Sequence, residues 1–138
     1  LPILELSTDE AGFIALHLVN AEMEEEVGNI YELTKLMQEI TNIVKYYFKV
    51  SFDEDSVYFY RFSTHLKFFC YRLLHQREVV ENDDEELYAV IKKKYLNAYR
   101  CVEKISLYLN ENYDYQVSNE ERLYLTIHIA RIVQTTEQ

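Results

Sequence analysis

The 138 residues carry 14 Lys+Arg against 24 Asp+Glu, a formal net charge of −10, and 49% are hydrophobic, with 13 tyrosines and 7 phenylalanines. That apolar and aromatic content excludes a disordered chain. Two glycines and one proline are too few to turn the corners of a β-sandwich or barrel, or to build a phosphate-cradling loop, and the acidic balance opposes binding of a nucleic-acid backbone by this segment. An all-α fold remains: a compact bundle of about five helices, large enough to bury roughly two-thirds of its extended-chain surface.

In chain order, a first helix is predicted over about Ser7 to Glu22. The run Glu24-Glu25-Glu26 and Gly28 read as a linker. A second helix follows from about Ile30 to Lys49, with Leu33, Leu36, Met37, Ile40, Ile43, Val44 and Tyr47 at helical spacing. The third begins after Asp53-Glu54-Asp55, acidic residues suited to a helix start, and runs to about Gln76. Glu78 to Glu86 holds a loop and another acidic start. The fourth, about Leu87 to Asn112, is too long for an average helix and is expected to kink or break near Tyr95 to Tyr99. The last runs from Asn119 to about Val133. Ser118 with Glu121 forms its capping box, and Leu123, Leu125, Ile127, Ile129, Ile132 and Val133 cover nearly all its sides, as in a central helix.

Cys70 and Cys101 sit inside apolar patterns without a C-x-x-C spacing and read as reduced core thiols of a cytoplasmic protein. No apolar run approaches the ~18 residues of a membrane span, and no signal peptide is expected. The start at Leu1-Pro2 instead of Met leads to the expectation of a fragment excised from a longer parent.

Residues Ser7 to Asn20 and Ser118 to Arg131 align without a gap, 111 positions apart. Ser7 pairs with Ser118, Glu10 with Glu121, Phe13 with Tyr124 and His17 with His128. Each copy has a capping box, then a histidine four residues past an aromatic ring. The offset is too long for a solenoid and fits a duplicated domain. Residues 1–28 then hold the last helix of a truncated first copy plus a linker, and residues 29–138 a complete second copy.

Of the four histidines, His75 sits at a polar helix end and reads as a surface residue. His17, His65 and His128 lie within apolar helices. Each alone could be a core histidine making one hydrogen bond. Arg61 and Arg72 flank His65 at i−4 and i+7, and Arg131 lies at i+3 from His128. Cations depress the pKa of a neighbouring imidazole and suit the oxygens of a phosphoryl group placed on it. Arg61, Arg72 and Arg131 are therefore phosphate-pairing candidates, with solvated helix-face charges as the alternative. No metal-ligand spacing and no nucleophile motif is present, so neither a cofactor nor an enzymatic activity is expected.

Phe62-Ser63-Thr64-His65-Leu66-Lys67-Phe68-Phe69, Leu123-Tyr124-Leu125-Thr126-Ile127-His128-Ile129-Ala130-Arg131 and Asp9-Glu10-Ala11-Gly12-Phe13-Ile14-Ala15-Leu16-His17 together resemble the PTS regulation domains of BglG-type transcription antiterminators. The resemblance covers essentially the whole chain. It implies all-helical, dimeric domains, each with two phosphorylatable histidines: His17 as the second of the first domain, His65 and His128 as the pair of the second. It implies the histidine phosphocarrier HPr and a sugar-specific PTS permease as phosphate donors, and a homodimer whose activity phosphorylation switches. It implies RNA binding only through an N-terminal domain that these residues do not contain. The stripe Tyr58, Phe59, Tyr60, Phe62, Phe68, Phe69 and Tyr71 reads as core and dimer interface in preference to a ligand pocket. A PTS-controlled DNA-binding activator, a constitutive helical dimerisation domain with structural histidines, and a phosphorelay intermediate are the competing readings.

Overall fold

With no proline after Pro2, where helices start and stop is decided by caps, propensity and packing. The computed structural model describes residues 9–75 and 84–136, with side chains from residue 29 onward. The helices are α1 (Asp9–Phe48), α2 (Val57–Leu74), α3 (Glu85–Lys94), α4 (Leu96–Tyr113) and α5 (Asn119–Thr136), with no strand among the described residues. The all-α bundle expected from composition is therefore observed.

One expectation fails in α1. The helix carries on through Glu24-Glu25-Glu26 and Gly28, where a linker was expected. Glutamate is a good helix former, and a single glycine costs only about 1 kcal/mol against alanine, so charge alone does not end the helix. Ser7, the capping serine of the earlier repeat, lies outside the described residues. The chain divides into two units, Leu1–Lys35 and Leu36–Gln138.

Leu36, Ile40 and Val44 of α1 repeat every four residues and are fully buried. Lys49 ends that helix in the left-handed conformation (φ 56), the usual closing geometry of a helix C-terminus. The Ser56 hydroxyl caps α2 by accepting the Phe59 N–H at 3.1 Å. The acidic run expected to do this lies one turn earlier, where the Asp53 carboxylate instead accepts the Asp55 N–H at 3.1 Å. Asp84 caps α3, and Glu85 and Glu86 fill its first turn. The break predicted near Tyr95 to Tyr99 occurs at the first of these residues, Tyr95. Its φ of −122° and ψ of 53° are not helical, and Lys92, Lys93 and Lys94 precede it at the negative end of the α3 dipole.

α5 packs against α2, α3 and α4, and its Leu125, Ile129, Ile132 and Val133 are buried. It is the central helix that its all-round apolar pattern indicated. Around it lie Phe69 of α2 and Val102, Ile105 and Leu109 of α4. Cys70 and Cys101 are buried free thiols. Burial pushes both up, Cys101 to about 12, so neither is a thiolate near neutral pH. The aromatic stripe of α2 divides: Phe62 and Phe69 enter the core, whereas Tyr58, Tyr60, Phe68 and Tyr71 are exposed. Among the described residues no helix is long and apolar enough to cross a membrane, and no cluster of side chains suits a metal ion.

Candidate functional site

Two core stripes position the site. On α2, Phe62 and Phe69 are buried, and His65 lies three residues past the first and four before the second. On α5, His128 holds the same place between buried Leu125 and Ile132. Residues three and four apart share a helix face, so each imidazole stands at the rim of its stripe, half-buried. Where α2 meets α5 the two rims coincide. The rings of His65 and His128 stack with centroids 3.8 Å apart and planes 16° from parallel.

The ring of Tyr124, one turn before His128, completes the cluster. It lies edge-on to both imidazoles, with centroids 4.6 Å from His128 and 5.7 Å from His65. Its hydroxyl is 2.9 Å from His65 Nδ1 and donates to the His65 carbonyl oxygen at 3.2 Å. Burial holds the phenol in its protonated form, raising its pKa, although Arg72 opposes the shift.

A cavity of about 210 Å³ opens on the stacked pair, and Arg61, Arg131 and Tyr58 line it with the two imidazoles. Both arginines are exposed and free to meet an anion there. Arg72 takes another place. Its guanidinium lies over the Tyr124 ring, 5.8 Å from the centroid, and its buried Nε has no hydrogen-bond partner. Of the three arginines singled out from the sequence, the structure thus brings two into the cavity with the histidines and sets the third behind Tyr124. His75 is exposed at the end of α2, its Nδ1 2.8 Å from the Tyr71 carbonyl oxygen. The side chain of His17, on α1, lies outside the described residues.

Protonation of His128 is opposed first by burial, then by His65 and then by Arg131, which together lower its pKa from 6.5 to about 4. The ring is neutral near pH 7, as nucleophilic attack requires. The same shift links stability to pH. An unfolded chain takes up this proton near pH 6.5 and the folded one only near 4, so the contribution is complete above 6.5 and is lost as pH falls toward 4. One whole proton gives a slope of about 1.4 kcal/mol per pH unit, and partial exposure reduces it. Urea midpoints measured from pH 7.5 down to 4.5 are expected to fall more steeply for the natural chain than for His128→Gln. Equal slopes would show that His128 titrates normally.

The chain matches the PRD domain over residues 38–132. It is 52% identical to the transcription antiterminator LicT of Bacillus subtilis over 130 residues, which are 94% of this chain and 47% of that protein. This chain belongs to the PRD family. The PTS regulation domains that its histidine motifs resemble are thus its relatives. The beta-glucoside operon antiterminator of Dickeya chrysanthemi is 47% identical over 94% of this chain and 45% of its own length. The PtsGHI operon antiterminator of Bacillus subtilis is 26% identical over 92% of the chain and 44% of its own length. This PRD chain spans about half the length of the curated relatives it matches.

Tyr124 was not singled out as a site residue. The signal available was the aromatic ring four residues before each repeat histidine, Phe13 in one copy and Tyr124 in the other. That spacing marked a ring against the histidine of its own helix. The hydroxyl, however, serves the histidine of another helix, which periodicity along one helix does not encode.

Proposed function

We propose that this chain is the phosphorylation-controlled regulatory part of an RNA-binding transcription antiterminator for a sugar-utilisation operon. It is a regulator and not an enzyme, acts in the cytoplasm as a homodimer, and accepts phosphoryl groups on His65 and His128, and on His17 of the preceding repeat, from HPr or a PTS permease. RNA binding belongs to a domain outside these residues. The observation that carries the reading is the pair of stacked imidazoles from α2 and α5 sharing one cavity with Arg61 and Arg131. A neutral imidazole is a competent nucleophile, and two guanidinium groups beside it suit the oxygens of the incoming phosphoryl group. Arg72, set against Tyr124, can answer the added charge only at longer range. The relatives described above, all three antiterminators, favour an RNA-binding parent over a DNA-binding one.

The test is phosphotransfer. The chain is incubated with phosphoenolpyruvate, enzyme I and HPr, and in parallel with a permease, and acid-labile phosphate is mapped by mass spectrometry while light scattering follows assembly. Phosphate is expected on His65 or His128 and is expected to vanish from the altered position in His65→Ala and His128→Ala, with helical circular dichroism retained. Absence of phosphate from either donor would remove the reading and leave the histidines a structural role.

A further inference from the structure

We propose that Tyr124 is a positioning residue for His65: by accepting a hydrogen bond from Nδ1–H at its phenol oxygen it selects the ring tautomer whose Nε2 carries the free lone pair, and so directs phosphoryl transfer to Nε2. The proposal rests on the reading of His65 as a phosphate acceptor, and its geometric half can be tested without it.

Two contacts at the Tyr124 oxygen share a single phenol proton. The Tyr124 oxygen lies 2.9 Å from His65 Nδ1 and 3.2 Å from the His65 carbonyl oxygen. A carbonyl oxygen can only accept, and a phenol has one proton to give. If the hydroxyl donates to the carbonyl, the Nδ1 contact is a hydrogen bond only when Nδ1 carries a proton and donates it. Both contacts are then satisfied. If the hydroxyl donates to Nδ1 instead, two oxygens face each other in a half-buried site with no proton between them. The first arrangement leaves no unpaired group, as buried polar atoms require. Burial also keeps the phenol protonated, so its donor function persists over the working pH range.

With Nδ1 occupied, Nε2 is the only nucleophilic nitrogen of the ring, and the cavity lined by the ring also holds Arg61 and Arg131. In the transfer step the Nε2 lone pair forms a bond to the phosphorus of a donor phosphohistidine. The donor's N–P bond breaks, and its electron pair returns to the donor ring. The Nδ1 proton stays where it is, and the positive charge that forms on the His65 ring is met by the Tyr124 oxygen. The partner of Tyr124 in the earlier repeat is Phe13, which supplies a ring of the same shape without the hydroxyl. The packing role of that position therefore does not call for the oxygen.

The experiment compares the natural 138-residue chain with Tyr124→Phe. Long-range ¹H–¹⁵N correlation spectra near pH 7.5 report which nitrogen of His65 bears the proton, a property that loss of packing alone would not set. The natural chain is expected to show Nδ1–H and Tyr124→Phe a redistribution toward Nε2–H. With phospho-HPr as donor, phosphate is expected on Nε2, and the initial rate at His65 is expected to fall about 2- to 10-fold in the variant, the scale of one intramolecular hydrogen bond. Nε2–H in the natural chain, phosphate on Nδ1, or an unchanged tautomer in a folded Tyr124→Phe would overturn the proposal. If that variant does not fold, the tautomer and the phosphate position of the natural chain decide. Nδ1–H with no phosphate at all on His65 would refute the acceptor reading and leave the tautomer assignment standing.

Discussion

Replacing Glu121 by alanine is expected to destabilise the folded chain by about 2–4 kcal/mol, measured as the loss in urea stability at neutral pH. Its carboxylate is 2% exposed and has two donors. The Tyr115 hydroxyl gives a bond of 2.7 Å, and the Ser118 backbone N–H one of 3.1 Å. The Ser118 hydroxyl accepts the Glu121 N–H in return, at 3.1 Å. Alanine leaves both donors without their acceptor in a part-buried site. Bonds to a charged acceptor contribute about 1.5–3 kcal/mol each, and an abandoned buried donor adds its own desolvation penalty. Glu121→Gln keeps an acceptor oxygen and is expected to lose less than half as much. A loss below about 0.5 kcal/mol in Glu121→Ala would mean that water replaces the carboxylate and that the N-terminus of α5 is not anchored through it. The consequence reaches the site, because Tyr124 lies within the next turn of the same helix and His128 about one turn beyond.

How far such features can be read from a sequence depends on whether they are local. The capping box at Ser118 and Glu121 is local, a serine and a glutamate at fixed spacing before an apolar run, and it forms as expected. Tyr115 as a third member is not local. It reaches Glu121 because Asp114 takes the left-handed conformation (φ 51) at the end of α4, and several residue types could occupy that turn. The break at Tyr95 was visible in the length of the pattern, above that of an average helix. The continuity of α1 was hidden because a charge run with a glycine resembles a loop in composition while its glutamates favour helix. Motif and spacing singled out His65, His128, Arg61 and Arg131, which line one cavity. That the imidazoles of α2 and α5 stack, and that Arg72 turns to Tyr124, depends on the rotation of one helix against the other. A helical wheel puts Arg72 on the His65 face but does not say which neighbour its long side chain will choose.

Negative charge at both His65 and His128 is expected to separate the stacked pair. A double-mutant cycle measures it: the stability lost in His65→Glu with His128→Glu together should exceed the sum of the single losses by about 1–3 kcal/mol at pH 7.5. The rings stand 3.8 Å apart. Two unit charges at about 4 Å repel by about 1 kcal/mol in water and about 4 kcal/mol at the effective dielectric of a protein surface. Arg61 and Arg131 line the same cavity and offset part of this, so Arg131→Gln in the double background should enlarge the coupling. Lowering the pH toward 4 should shrink it, because a like-charged neighbour raises a carboxyl pKa and one of the two glutamates then takes up a proton. Single losses that add to within about 0.5 kcal/mol would place the two introduced carboxylates too far apart, or too well solvated, to interact. A phosphoryl group on each imidazole would bring about two negative charges instead of one, with the same two arginines to answer them. On the proposed function, the seam between α2 and α5 would be the element that modification biases: compatible with one phosphoryl group matched by Arg61 and Arg131, and forced to repack when both positions are charged.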